Sequence, residues 1–330
     1  MLKSLCGKLF TPLHRCINLF ILILRKGPCI MNLFPSIYSI IRTISFLGMA
    51  LAVFLIPDTA IANKLKIEKQ KIVYGKTKSG KDLYVIRVHK TDHKLPIRPA
   101  VLVTGGVHGN EYMGLVKEMG KLIDQTLPGF EEFFTSGGVM YLFPELNPDG
   151  VVTKNRFNSK GFDLNRDFKI GRAPSQVETN QFVNFIEKDL DKFHARLILA
   201  VDYHCCAKSL IYPEIKSKKS NFYKNHFDKI VNLMKTHVDP NYVSGVTKDI
   251  FGHATHGTLK AYWYKKYGAL SFTYEGENPK REMSKLEGHM NWWKSLMNVV
   301  VDVYDNRLAQ LTPEVQKPAK ALEGPTLYTE

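Results

Sequence analysis

Two short segments of this chain carry residue types that bind metals. In Gly105-Gly106-Val107-His108-Gly109-Asn110-Glu111, a histidine and a glutamate stand three residues apart after the apolar run Val101-Leu102-Val103. In Ala200-Val201-Asp202-Tyr203-His204, a second histidine closes another apolar run. Imidazole nitrogen and carboxylate oxygen are the ligands of a catalytic zinc, which takes three protein groups and keeps a fourth position for water. A histidine at a strand end is more often a hydrogen-bonded structural residue, so His204 alone says little. His108 and Glu111 say more, because the run, the glycine-rich turn and the helical pattern from Met113 read as strand, loop and helix. Open α/β sheets gather their sites at the carboxyl ends of such strands.

A third stretch is irregular and polar. It runs from Phe143-Pro144-Glu145-Leu146-Asn147-Pro148-Asp149-Gly150 through Arg156-Phe157-Asn158 to Gly161-Phe162-Asp163-Leu164-Asn165-Arg166-Asp167-Phe168. It reads either as a solvated loop or as an anion-binding surface, since a guanidinium fork matches a carboxylate. Further on, Glu275 ends the β-prone run Ser271-Phe272-Thr273-Tyr274-Glu275.

Taken together, these segments resemble the zinc metallocarboxypeptidases of the carboxypeptidase A type. That family carries, in order, a His-x-x-Glu pair, an Asn-Pro-Asp-Gly turn, an Arg, an Asn-Arg pair, a ligand His and a late Glu. Here His108 and Glu111, Asn147 to Gly150, Arg156, Asn165-Arg166, His204 and Glu275 follow the same order, over roughly residues 70 to 300. In style the chain is similar to the short bacterial members that process murein peptides. The resemblance implies one Zn2+ per chain held by His108, Glu111 and His204, with the metal charge acidifying its bound water. It implies Glu275 as the general base and Arg156 as the oxyanion stabiliser. Asn165 and Arg166 would clamp the free C-terminal carboxylate of a peptide substrate. By position after Gly257-Thr258, Leu259 and Lys260 would line the side-chain pocket, where a lysine suits an acidic or zwitterionic terminal residue.

One family element is displaced. A mobile tyrosine is expected shortly before the Gly-Thr pair, yet Ile250-Phe251-Gly252-His253-Ala254-Thr255-His256 holds none. His253, His256, Tyr262 and Tyr264 are the available substitutes, and the two histidines read equally well as solvated loop residues.

The amino-terminal region speaks to location. Thr43 to Ile56 is an apolar run of 14 residues between Arg42 and Pro57, followed by Ala60-Ile61-Ala62-Asn63. A basic residue, a short apolar core and an Ala-x-Ala site make a secretory signal ending near Ala62, hence an exported, periplasmic protein. The alternative is an uncleaved membrane anchor. A shorter apolar run, Ile17 to Leu24 between Arg15 and Arg25, makes Met31 a possible true start. Expected divisions are therefore 1–62, a signal-bearing segment; 63–310, the zinc carboxypeptidase domain; and 311–330, a tail outside the core.

Of five cysteines, only Cys205 and Cys206 follow the cleavage site. Adjacent cysteines rarely bridge each other, so no structural disulfide is expected and both read as small buried residues. The net charge of +15 would attract anionic partners, but no nucleic-acid motif accompanies it. The mature chain has no stretch for a stable membrane span, and its 268 residues suffice for one domain with a substantial core.

Periodicity supplies the frame. A hairpin is expected around Ile72-Tyr74 and Leu83-Val88, turning at Ser79-Gly80, with strands at Ala100-Thr104, Val139-Phe143, Leu197-Asp202 and Leu270-Tyr274. Helical patterns cover Met113-Leu127, Val177-Leu190, Phe222-His237 and Lys285-Tyr304. The alternation argues for an α/β fold, an α/β/α sandwich around a mixed, mostly parallel twisted sheet. The expected function is an exported zinc metallocarboxypeptidase acting on a peptide, with a murein peptide as a candidate substrate. Two alternatives stand beside it: an N-acyl amino acid deacylase of the aspartoacylase and succinylglutamate desuccinylase type, and a zinc-bound, non-catalytic peptide-binding protein.

Overall fold

The structure, a computed structural model, describes residues 66–91, 96–123, 129–215 and 220–309. The apolar run and Ala-x-Ala site of the amino-terminal segment, and the tail from Leu311, lie outside the described residues. Among the described residues eight strands form one sheet: β1 (Ile67–Lys76), β2 (Asp82–Lys90), β3 (Arg98–Gly105), β4 (Val139–Phe143), β5 (Ala195–Cys205), β6 (Ser209–Tyr212), β7 (Val243–Val246) and β8 (Leu270–Gly276). Their order across it is β1-β2-β4-β3-β5-β8-β6-β7. The central pairs β4/β3, β3/β5 and β5/β8 are parallel, as is β6/β7, whereas β1/β2, β2/β4 and β6/β8 are antiparallel. Among the described residues the helices are α1 (Leu115–Leu122), α2 (Glu131–Thr135), α3 (Pro148–Thr153), α4 (Val177–Lys192), α5 (Ser220–His237), α6 (Thr247–Phe251), α7 (Leu259–Tyr267), α8 (Pro279–Met283) and α9 (Leu286–Ala309).

Strand alternation sorts the core into two clusters. Val101 and Val103 of β3 and Met140 and Leu142 of β4 pack with Met119, Phe133, Ile230 and Trp293, from α1, α2, α5 and α9. Ala100, Leu102, Val139, Tyr141 and Phe143 face the other way, onto Phe182 and Ile186 of α4 and Trp263 of α7. Period two in the strands thus buries both faces under helices, giving the three layers that the apolar runs imply.

One irregularity decides where the chemistry points. Between β3 and β5 the register shifts, with Ala100 opposite Leu197 but Val101 opposite Leu199. The extra residue resets the alternation, so Leu197 and Ala200 both pack on the α4/α7 side. Asp202 and His204 then follow Ala200 onto that face, while Tyr203 and Cys205 join the α9 side.

The hairpin and the four strand-like runs fall within β1 to β5 and β8, and the four helical patterns overlap α1, α4, α5 and α9. Strands β6 and β7 and the short helices α2, α3, α6, α7 and α8 go beyond those expectations. β6 and β7 have four residues each, too few for a period to show, and they find their place only by pairing outward from β8. No helix among the described residues is long and apolar enough to cross a membrane.

Candidate metal centre and active-site cleft

His108 leaves the carboxyl end of β3, and Glu111 ends a single 3-10 turn, Gly109–Glu111. This loop is pinned from below. Asn147 caps α3 by accepting from the Gly150 amide at 2.9 Å and donates its own side-chain N–H to the Val107 carbonyl at 3.3 Å. The Gly109 amide donates to the Asn155 carbonyl at 2.9 Å. A Cβ at Gly109 would fall 1.9 Å from the Gly150 carbonyl carbon, so only glycine permits the approach. The Asn-Pro-Asp-Gly turn is therefore a buttress under the metal-binding loop.

His204 stands on β5 with Glu275 of β8 as its register partner, so two chemically active side chains share one face at adjacent strand ends. One ligand atom from each of His108, Glu111 and His204 comes together with all such atoms within 4.8 Å of one another. Both imidazoles are oriented from behind by carboxylates. His108 Nε2 lies 2.9 Å from Asp163 Oδ1, and His204 Nε2 lies 2.6 Å from Asp202 Oδ2, whose other oxygen accepts from Thr104 at 2.7 Å. With each Nε2 carrying the proton, both Nδ1 atoms present lone pairs to the centre.

These residues fit a zinc ion. His108 Nδ1 is buried and makes no hydrogen bond, although it lies 3.0 Å from Glu111 Oε1, and an orphaned imidazole lone pair of this kind is what a metal would satisfy. The surroundings are anionic as well. Burial works against an ionised Glu111, yet the influence of the adjoining His108 and His204 outweighs it and holds the carboxyl well below its usual range. Asp163 behaves alike, burial being overcome by its bond from His108 and by the Arg156 and Arg166 charges.

The centre opens into a cleft of about 330 Å³. Glu275, Arg156, Asn165, Arg166 and Lys260 all line it. Burial pushes the Glu275 carboxyl up to about 7, helped by the charges of Glu111 and Asp202 and opposed by those of His204 and Lys260. A carboxylate so placed is a competent proton acceptor near neutral pH. Arg156 donates to Glu111 at 2.8 Å and to Asp163 at 2.9 Å, which aims its guanidinium across the ligands while leaving it partly exposed. Asn165 sits in the 3-10 turn Leu164–Arg166; its oxygen accepts from the Leu259 amide at 2.9 Å, and its nitrogen lies 3.3 Å from His204 Nε2. Arg166 donates to the Asn165 carbonyl at 2.8 Å. Gly257, at φ +68°, crosses this turn so closely that a Cβ would lie 2.3 Å from the Arg166 carbonyl oxygen.

Three expectations change. Leu259 does not line the cleft: α7 starts there, and its Leu259, Tyr262 and Trp263 stripe packs into the core, which leaves Lys260, one residue round the helix, facing the cleft. Tyr262 and Tyr264 do not stand in for the mobile tyrosine. Tyr262 is buried with its hydroxyl donating to Glu187 at 3.2 Å, and Tyr264 packs edge-on against Tyr223. His253 does reach the cleft, whereas His256 lines only a neighbouring shallow depression. Cys205 and Cys206 were expected to be unbridged, but they form a disulfide; the peptide joining them is cis and sets their Cα atoms 3.2 Å apart. Cys205 is buried as expected, but Cys206 is exposed, and both line the cleft.

Two supporting residues were missed. Asp202 had a signal, since a side chain two residues before a strand histidine shares its face. Asp163 had none, being 55 residues from His108 in sequence.

A mixed α/β sheet with a His-Glu-His centre at its parallel strand ends, and a buried glutamate beside it, defines the class of zinc-dependent hydrolases. The zinc carboxypeptidase family model matches residues 60–290, and the chain belongs to that family; it is a zinc metallocarboxypeptidase. Solved structures agree on the fold. Thrombin-activatable fibrinolysis inhibitor is 17% identical with a TM-score of 0.59, over 72% of this chain and 70% of its own. A metallo-carboxypeptidase from Burkholderia cenocepacia is 18% identical with a TM-score of 0.54, over 80% and 69%. A metallo-carboxypeptidase from Pseudomonas aeruginosa is 18% identical with a TM-score of 0.55, over 71% and 65%. A search of curated proteins found no match.

Proposed function

We propose that this chain is an exported carboxypeptidase that removes the last residue of a peptide with a free C-terminal carboxylate, and that a murein peptide of the cell envelope is the substrate to test first. The observation that carries the reading is the meeting, in one cleft, of the His108-Glu111-His204 set with Glu275 and two arginines. Bound zinc would supply Lewis acidity and a water of lowered pKa. Glu275 takes up the water proton and returns it to the leaving amine. Arg156 presents its guanidinium to the oxygen that gains charge as the scissile carbonyl is attacked. Arg166 and Asn165 hold the substrate carboxylate, which places the terminal peptide bond, and no other, against Glu275. Export is supported by the apolar run Thr43 to Ile56 and the Ala60-Ile61-Ala62 site.

The test is a zinc-loaded preparation offered murein tri- and tetrapeptides, ordinary peptides and N-acyl amino acids, with mass spectrometry as the readout. Release of single C-terminal residues, abolished by chelation and restored by zinc, is expected. Cleavage of N-acyl amino acids alone would replace the peptidase by a deacylase, and peptide binding without cleavage would leave a binding protein.

A further inference from the structure

The loop that joins α3 to α4 turns its polar side chains in and its apolar ones out. Asn158 accepts from the amides of Lys160 and Phe162 at 3.1 and 2.9 Å, and Asp167 accepts from the amides of Ser175 and Gln176 at 2.9 Å. Both side chains are buried. In contrast, Phe157 is 41% exposed, Phe162 and Ile170 are 52% exposed, and Val152, in the last turn of α3, is 69% exposed. These are four of the seven large apolar side chains exposed among the described residues, and all fall between residues 152 and 170. The inward hydrogen bonds fix the loop in this form, so the apolar exposure is built into it. Apolar surface gathered in this way marks a place of interaction.

The exposed charges of the same stretch have one sign. Lys154, Lys160, Arg166, Lys169 and Arg172 are exposed, whereas the two acids are already engaged, Asp163 with His108 and Arg156, Asp167 in the bonds just described. Lys78, in the β1–β2 turn, crowds the Lys160 ammonium and lowers its pKa, a like-charge contact that an anion would relieve. Each of the four exposed apolar residues has a basic residue within three positions of it. That mixture discriminates between partners. The cores of protein interfaces are poor in lysine. A nucleic acid or another soluble polyanion would take the cations and leave Val152 and Ile170 in water. An anionic bilayer takes both, its phosphates pairing with the cations and its interfacial region receiving the apolar groups.

We propose that the α3–α4 loop docks this protein on an anionic phospholipid bilayer, with Val152, Phe157, Phe162 and Ile170 entering the headgroup region and Lys154, Lys160, Lys169 and Arg172 pairing with phosphates. The attachment is peripheral and requires no membrane-spanning helix. The same loop supplies Arg156, Asn165 and Arg166 to the cleft, so docking sets the cleft beside the membrane surface. The docking does not depend on which reaction the cleft performs.

The experiment uses the full chain with Phe162→Trp or Ile170→Trp as a local probe, each variant checked for folding by circular dichroism. Trp263, Trp292 and Trp293, the native tryptophans, are buried and remain a constant background. The probe emission should shift to the blue, and brominated acyl chains should quench it, in phosphatidylcholine vesicles containing phosphatidylglycerol but not in phosphatidylcholine alone. Added salt should weaken the effect. Replacing Lys154, Lys160, Lys169 and Arg172 together by Gln should lower the vesicle affinity read from the probe by about 10²-fold, at roughly fivefold for each basic residue. Phe162→Ser combined with Ile170→Ser, with the probe moved to Phe157→Trp, should lower it by about tenfold. Probes that stay unquenched overturn the proposal; if the chain nevertheless sediments with vesicles, another segment carries the binding. Unchanged affinity in the apolar double variant would leave only a diffuse attraction of cations to any polyanion, and overturns it too. A probe already blue-shifted without vesicles, with a dimer in analytical ultracentrifugation, would assign the patch to a second copy of the chain instead.

Discussion

At the residue scale the site is a set of groups whose properties are made by their neighbours. Glu275 would be an ordinary carboxylate on a surface; on β8, buried beside Glu111 and Asp202, its carboxyl titrates near 7. Glu275→Gln removes the proton acceptor and keeps the shape, so turnover should fall by about 10² to 10⁴-fold while zinc content and melting temperature hold. Near wild-type turnover in that variant would reassign the base. The same group sets an acid limb. Activity requires the ionised form, so kcat/KM should decline as pH falls through its pKa, and a bound cation nearby can only move that limb below about 7. A rate profile whose acid limb lies above that value would point to another group. Arg166 belongs to recognition rather than to proton transfer. Arg166→Ala should cut kcat/KM on free-acid peptides by roughly 10²-fold, with zinc binding intact, and amidated peptides should already be poor substrates of the wild type. Equal rates on free-acid and amidated peptides would remove the exopeptidase assignment.

At the element scale, the two strand ends that carry His204 and Glu275 are held from the opposite face of the sheet. Tyr203 and Tyr274, their neighbours on β5 and β8, point away from the cleft into a buried network centred on Glu282 of α8. Tyr274 donates to Glu282 at 2.6 Å, Tyr242 donates to its other oxygen, and the Glu277 amide donates to it at 3.0 Å. His289 of α9 lies 3.1 Å from Glu282 through Nε2 and 3.3 Å from the Tyr203 hydroxyl through Nδ1, and that hydroxyl accepts from Trp293 at 2.9 Å. Burial opposes the charge on Glu282, but these donors win and hold its carboxyl well below the usual carboxylate range. Glu282→Gln would leave buried donors competing for one oxygen and should cost about 2 to 4 kcal/mol in urea unfolding at pH 7. A depressed folded pKa stabilises the native state fully above the unfolded value of about 4.3, and that contribution fades as pH falls. The stability gap between wild type and Glu282→Gln should therefore narrow below about pH 4. A gap independent of pH would show that the ionised form is not what the network binds.

At the scale of the whole molecule, α/β alternation builds a sheet whose parallel centre ends in one row of loops, and the candidate catalytic groups all arise there. They come from strands β3, β5 and β8 and from the loop between α3 and α4, separated by as many as 167 residues between His108 and Glu275. The export proposal concerns the whole chain as well. Expressed with its amino-terminal segment in a bacterium that secretes through the general pathway, the protein should be recovered from the periplasm with an amino terminus near Asn63, read by sequencing. Recovery of an uncut, membrane-bound chain would replace the signal by an anchor.

The sequence by itself determined the ligand types and their order, because His108-x-x-Glu111 is local and the strands feeding it are runs of four or more apolar residues. It also determined the main helices, whose periods are long enough to read. The tertiary structure alone decided which way those groups face. The bulge in β5 that turns Asp202 and His204 toward the cleft leaves no mark in a pattern of apolar residues. The same holds for Asp163, brought to His108 by a loop closure, and for α7, whose core stripe claims Leu259 and turns Lys260 inward. Spacing reports what a segment can do with its own neighbours; partners distant in sequence, and the choice between core and cleft one residue apart, are settled only when the layers pack.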